Sequence, residues 1–147
     1  MTGSKEHTVW QATAFLLARL TLGLIFFMAG TFKVFELGPM GHAERFFLPY
    51  SDTFLPVWSL WFVGVTIPLV ELLAGALLIV GWLVRQATVA LGIVLVVVTF
   101  GHLLKEPLFA FNAHVVPRLA LVLFVLMFPA VMDRFSIDNW LKNRSRD

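Results

Sequence analysis

The sequence has 147 residues, which fits one domain, and its composition excludes a water-soluble fold. Apolar residues make up 59% of it and charged residues 14%, and the mean hydropathy is +0.87. Soluble domains carry about 25% charged residues because they need a polar surface. The net charge is only +2 and the cations are scattered, so the lipid bilayer is the expected partner and nucleic acid is not.

The absence of cysteine removes several redox chemistries from consideration. Iron–sulfur ligation, thiolate haem ligation and disulfide exchange all require a thiol. No pair of histidines lies deep in two helices, and no histidine and carboxylate spacing repeats along a helix, so neither haem nor a metal ion is expected. Any haem, iron–sulfur or metal centre would therefore belong to another subunit.

Four apolar stretches are long enough to cross a membrane, since a helix needs about 20 residues to span the ~30 Å hydrocarbon core. They cover residues 11–35, 57–84, 87–104 and 113–132. Backbone polar groups in lipid must bond within their own segment, so each stretch is predicted to be a helix. The predicted fold is all-α, an integral membrane four-helix up-and-down bundle in a single domain.

The connections suggest how these helices are arranged. Only the short stretch 81–86 is available to connect the second and third spans, so these two helices are predicted to be antiparallel neighbours. The loop at 36–56 contains a short amphipathic stretch, 42–48, expected to lie as an interfacial helix on the membrane surface. Residues 133–147 form a polar tail.

Lysine and arginine bias predicts the orientation of a multi-pass protein. Six cations fall on the side of the termini and four on the other: Lys5, Arg85, Arg134, Lys142, Arg144 and Arg146 against Lys33, Arg45, Lys105 and Arg118. The expected location is the inner, cytoplasmic membrane, with both termini and the tail in the cytoplasm.

Two charges lie away from the ends of the predicted spans, Arg19 about one third of the way into the first and Glu71 near the middle of the second. Each costs about 2.5–3.5 kcal/mol at mid-bilayer, so both are expected to turn inward and find partners. Their signs are opposite and their depths similar, which permits contact between them. One interpretation is a structural ion pair that sets helix register; the other is a polar centre that binds a headgroup, an anion or a proton. On the second interpretation, Glu71 and Arg19 are the candidate catalytic residues.

A second polar group is predicted near the opposite face of the membrane. Lys33, His102 and Arg118 lie at the ends of three different spans. Such groups would attract an anion or the carbonyl of a quinone, although lysines that snorkel to water and a capping arginine explain them equally well. The candidate cofactor-binding residues are thus Arg19, Lys33, Glu71, His102 and Arg118, and quinone is the candidate cofactor.

The first two spans carry a pattern that resembles the DoxX-like family of four-span membrane proteins. The first reads Arg19, then Gly23, Phe26 and Gly30, followed by Lys33; the second reads Glu71, then Gly75 and a leucine-rich run to Gly81, followed by Arg85. The resemblance covers roughly residues 14–100. It implies a four-helix bundle and a link to redox membranes, since some members are subunits of thiosulfate:quinone oxidoreductase and others accompany oxidant-defence enzymes or assemble larger complexes.

Three functions follow as hypotheses. The first is a membrane subunit of a quinone-linked oxidoreductase, in which the polar centre binds a quinone head or relays its proton and another membrane or soluble subunit supplies electrons. The second is a non-catalytic accessory or assembly subunit of a larger membrane complex. The third is a small anion or solute carrier, for which a homo-oligomer is expected because four helices make a thin wall.

Overall fold

The computed structural model describes residues 2–106, 114–128, 133 and 135–144. In chain order these residues form α1 (Thr2–Thr31), α2 (Pro39–Phe46), α3 (Val57–Val80), α4 (Val84–Lys105), α5 (Val115–Met127) and α6 (Ile137–Arg144). A π-helical turn, Phe32–Glu36, extends α1, and a 3₁₀ turn, Leu48–Tyr50, follows α2. The all-α prediction is confirmed for this part of the chain.

Three helical segments are long and apolar enough to cross a membrane: Val9–Glu36, Val57–Val80 and Val84–Lys105. Many of their large apolar side chains point outward, which suits a lipid surroundings rather than water. The helix in the fourth predicted span, α5, has 13 residues and so a length of about 20 Å. Residues 113 and 129–132 of that span lie outside the described residues, and its crossing stays a prediction.

The turn between α3 and α4 lies earlier in the chain than the predicted boundaries at 84 and 87, since α3 ends at Val80 and α4 begins at Val84. Gly81 ends α3 with a φ of 75°, and the N–H groups of Gly81 and Trp82 both donate to the carbonyl of Leu77. Glycine takes this left-handed conformation without steric cost and is the usual residue after a helix. Leu83 also has a positive φ, 50°, and α4 begins at the next residue. The end of the bundle that contains this turn is called the hairpin end. The opposite end, which carries α2, is called the α2 end.

The four longest apolar helices pack in a ring: α1 contacts α3 and α5, and α4 contacts α3 and α5. The core inside this ring is aliphatic and aromatic; it includes Phe15, Leu22, Phe26, Ala74, Leu78, Leu91, Leu95, Val122 and Val125. The short helix α2 packs against α3 outside the ring. The surface helix predicted at 42–48 is α2, which begins earlier, at Pro39, and its residue Ala43 is fully buried.

Glycines hold α1 and α3 at backbone contact. A Cβ atom on Gly30 would lie 2.7 Å from Cα of Leu72, and one on Gly75 would lie 2.8 Å from Cα of Phe27. Small residues allow such close approach between membrane helices, and van der Waals packing then stabilises the pair. These contacts fix the antiparallel register, which sets Gly30 opposite Leu72 and Phe27 opposite Gly75.

We predict that Gly75→Ala separates α1 from α3 and destabilises the protein by about 1–3 kcal/mol, the usual effect of overpacking. Thermal unfolding in detergent, followed by circular dichroism, measures the change. The matched control is Gly101→Ala, because a Cβ atom at that position meets no atom within 4 Å. Equal midpoints for the two variants would show that the close contact does not limit stability.

Candidate functional site

Glu71 pairs with Lys33 near the α2 end. Its Oε2 lies 2.6 Å from Nζ of Lys33, and its side chain is 5% exposed, against 25% for the lysine. Lys33 lies in the π-helical turn that follows α1, and such turns occur often at functional sites. The pair is a charge-assisted hydrogen bond, which is stronger than one between neutral groups, and the burial of Glu71 strengthens it further.

A cavity of about 720 Å³ opens beside this pair, between α2, the 3₁₀ turn, α3 and α4. Its wall is mostly apolar and carries five basic side chains, those of Lys33, His42, Arg45, His102 and Lys105. The apolar and aromatic wall includes Phe46, Phe47, Tyr50, Leu60, Val63, Ile67, Val97, Val98 and Phe100. A mostly apolar cavity with a few convergent polar groups is the usual form of a small-molecule site.

His42 enters this site from α2. Its Nδ1 lies 2.7 Å from the carbonyl oxygen of Gly64 on α3 and donates a hydrogen bond to it, and the side chain is buried. Gly64 permits this approach, since a Cβ atom there would lie 2.7 Å from Cα of Ala43. Burial lowers the pKa of His42 below its ordinary value and Lys33 adds to that effect, while the bond to Gly64 opposes it.

The last turns of α4 form another wall of the cavity. Nδ1 of His102 donates to the carbonyl of Val98 over 2.8 Å. Lys105 lies 3.1 Å from the Asp52 carboxylate and also donates to the carbonyl of Pro49. The two Lys105 contacts tie the end of α4 to the segment between α2 and α3 on that side of the cavity.

Arg19 lies at the hairpin end and does not contact Glu71. Its Nη1 donates to the carbonyls of Leu78 and Ile79, two of the last carbonyls of α3. Those groups have no partner within the helix, and a cation near them also interacts favourably with the helix dipole. The Arg19–Glu71 contact that sign and depth permit does not form, because the register of α1 and α3 places Arg19 opposite the end of α3.

The carboxylate partner of Arg19 is Asp133, at 3.5 Å between Nε and Oδ1, and both side chains are buried. Nη2 of Arg19 donates to the carbonyl of Phe135 over 3.2 Å. Burial raises the pKa of Asp133 above its ordinary value, while Arg19 and a hydrogen bond with Ser136 lower it. Arg19 thus joins α1, the end of α3 and the segment that leads into α6.

A second carboxylate, Asp138, closes the same end. Its two oxygens each accept a hydrogen bond of 3.0 Å, one from the N–H of Leu83 and one from that of Val84. These N–H groups begin α4, so Asp138 serves as the cap of a helix distant from it in sequence. The α6 part of the predicted polar tail is therefore bound to the bundle.

Of the five predicted site residues, the structure brings three together. Lys33 and His102 line the cavity and Glu71 bonds to Lys33. Arg118 lies on α5 with its guanidinium 5.8 Å from the ring centre of Phe26, and it does not line the cavity. Arg19 belongs to the hairpin end.

Sequence reasoning missed His42, Asp133 and Asp138. A signal for His42 existed, since Pro68 in an apolar helix leaves the carbonyl of Gly64 without its usual donor and so requires one from outside. The two aspartates follow the last apolar stretch, in a segment whose composition is that of a solvated tail.

Comparison with known proteins identifies a family but no individual relative. The sequence model of the DoxX family matches residues 14–103, which is more than half of the chain. No curated protein and no solved structure matches significantly.

We predict that Arg19→Met destabilises the protein by about 3–5 kcal/mol, since it leaves Asp133 buried without a counter-charge. Adding Asp133→Asn to this variant should recover part of the loss. Unfolding in detergent of both single variants and the double variant gives the coupling energy. Arg45→Met, at an exposed position, is the control. Additive effects of the two changes would contradict the pair.

We predict that His42 makes stability depend on pH. Its folded pKa is lowered, so between that value and the unfolded value of about 6.5 the unfolded state binds more protons. The free energy of unfolding therefore falls as the pH drops below about 6.5, by up to about 1.4 kcal/mol per pH unit. Unfolding measured from pH 7.5 to 5 should show this decline in the wild type and less of it in His42→Gln. A difference between the two proteins that stays constant with pH would exclude His42 as its source.

Proposed function

This chain belongs to the DoxX family of membrane proteins, and from that premise we propose that it is the quinone-binding membrane subunit of a redox complex. The observation that carries the proposal is the cavity at the α2 end. It combines an apolar wall with Lys33, which is paired with Glu71, and with two imidazoles, His42 and His102. Isoprenoid quinones combine an apolar ring and tail with two carbonyl oxygens, which matches such a wall.

The size of the cavity supports a ligand of this class. At about 720 Å³ it lies within the range of about 300–1,000 Å³ typical of small-molecule sites. Phe46, Phe47 and Tyr50 supply aromatic surface beside the polar groups. A quinone ring packs well on such surface, since aromatic pairs add attraction beyond their buried area.

The polar groups suit the chemistry of a quinone carbonyl. The Lys33 ammonium has two protons beyond the one it donates to Glu71, and a carbonyl oxygen accepts from such a donor. Reduction of a quinone takes up two electrons and two protons. Lys33 and Glu71 would hold and deliver a proton inside the membrane, and a redox subunit bound to this chain would supply the electrons.

Arg19 and Arg118 have no place in this proposal. Arg19 has three backbone carbonyls and Asp133 as partners, so its contacts are explained by the fold alone. The proposed ligand set therefore consists of Lys33, Glu71, His102 and, added by the structure, His42.

The proposal includes a topology. In it α5 is the fourth span, and the hairpin end faces the cytoplasm of a cell with an inner membrane. Support comes from Arg85, Lys142 and Arg144, which lie at that end, and from Trp82 and Trp140, which are exposed there.

The test is quinone binding to the purified protein in lipid nanodiscs, with short-chain benzoquinone and naphthoquinone as probes. Glu71→Gln should weaken binding about tenfold, because the neutral amide no longer holds the Lys33 ammonium in place. The control is Glu36→Gln, which removes an exposed carboxylate at the same end of the bundle. A wild-type protein that binds neither probe, or a folded Glu71→Gln protein with unchanged affinity, would refute the proposal.

A further inference from the structure

The proline within α3 creates a hydrogen-bond vacancy beside the cavity. Residue 68 of a regular helix would donate its N–H to the carbonyl of residue 64. Pro68 has no N–H, so the carbonyl of Gly64 lacks this partner. The imidazole of His42 occupies the vacancy, with Nδ1 at 2.7 Å. Both Gly64 and Pro68 are buried, and a buried carbonyl requires a hydrogen-bond donor, which His42 supplies.

This bond decides which nitrogen of His42 carries the proton. A carbonyl oxygen only accepts, so Nδ1 must be the protonated nitrogen. A neutral imidazole has one N–H, which makes the other nitrogen, Nε2, a hydrogen-bond acceptor. His42 is one of the residues that line the cavity, and Nδ1 is already bound to Gly64. The nitrogen of His42 that remains to accept a hydrogen bond from a ligand is therefore Nε2.

The surroundings keep His42 in the neutral form. The charged and titratable groups that line the same cavity, besides His42, are Lys33, Arg45 on α2, Tyr50, and His102 and Lys105 on α4, and Glu71 is the partner of Lys33. Lys33 opposes a second positive charge at His42, and burial acts in the same direction. Lys33, Arg45 and Lys105 are donors only, and Glu71, which accepts from Lys33, is not one of the residues that line the cavity. His102 resembles His42 in that its Nδ1 donates to a helix carbonyl, that of Val98.

We propose that His42 determines the specificity of the cavity for a ring that carries a hydroxyl group, such as a hydroquinone or another phenol, over the corresponding carbonyl form. Nε2 of His42 accepts a hydrogen bond from the hydroxyl, and a carbonyl cannot donate one. Pro68 is the positioning residue, because it frees the carbonyl that fixes the tautomer. This inference rests on the proposed function and names the redox state of the ligand that the site prefers.

The tautomer is measured without any ligand, by solid-state NMR of the full chain labelled with ¹⁵N-histidine in lipid at pH 7.5. Signals that disappear in His42→Gln belong to His42. The wild type should show Nδ1 protonated and Nε2 unprotonated. In Pro68→Ala the restored N–H competes for the Gly64 carbonyl, so the signals should move toward the other tautomer while those of His102 stay.

Pro117→Ala is the matched control for the proline change. Pro117 lies in the first turn of α5, where N–H groups have no acceptor within the helix. The His42 signals should be the same in this variant as in the wild type. A wild-type His42 that is protonated on Nε2, or an imidazolium at this pH, would overturn the tautomer. Unchanged signals in Pro68→Ala would overturn the role of the proline.

The specificity is measured as the ratio of affinities for the reduced and oxidised forms of one short-chain benzoquinone, under anaerobic conditions in nanodiscs. The wild type should bind the hydroquinone about three- to tenfold more tightly, the effect of one neutral hydrogen bond. His42→Phe keeps a ring in place and should bring the ratio close to one. Pro68→Ala should reduce it by a smaller factor, which supplies a second variant if His42→Phe does not fold.

The outcomes separate this inference from the proposed function. If neither redox form binds, the proposed function fails. The tautomer result still shows whether Pro68 frees the carbonyl that fixes the protonation of His42. If both forms bind with equal affinity, or the ratio survives His42→Phe, the quinone site stands and the specificity assigned to His42 is wrong.

Discussion

Backbone contact between α1 and α3 is the constraint on which the other polar contacts depend. Gly30 and Gly75 leave no room for a Cβ atom, so only one register brings the two helices this close. In that register Lys33 reaches Glu71, and Arg19 reaches the last carbonyls of α3. Van der Waals packing of small residues therefore selects which charges meet, and the ion pairs are a consequence of it.

This order of causes explains what the sequence could and could not predict. The high cost of charge in lipid was enough to predict that Arg19 and Glu71 face inward, and both are buried. Their partners depend on register, and a helical turn is 5.4 Å long, so an error of a few residues in depth exchanges one partner for another. Small residues were visible in the sequence, but their facing positions were not.

The two aspartates at the hairpin end show a second limit. Asp133 and Asp138 follow the last apolar stretch, where composition alone indicates a solvated tail. Their actual roles are tertiary: one neutralises a buried arginine and the other caps α4 from outside it. Helix ends leave unpaired N–H and carbonyl groups whose positions a sequence reveals, but the donor or acceptor that satisfies them can come from any part of the chain.

A layer of apolar side chains separates Arg19 and its partners at the hairpin end from the Lys33–Glu71 pair at the α2 end, and this separation bears on function. Leu22, Phe26, Ala74 and Leu78 fill the space between the levels of Arg19 and Glu71, and all four are buried. The contacts of Arg19 with Asp133 and with backbone carbonyls explain why a buried arginine is present there. The Lys33–Glu71 pair does not, because glycine packing already holds α1 to α3 there, and a neutral contact would hold the helices at lower cost. A charged pair beside a large cavity is better explained by what enters the cavity than by what the helices require.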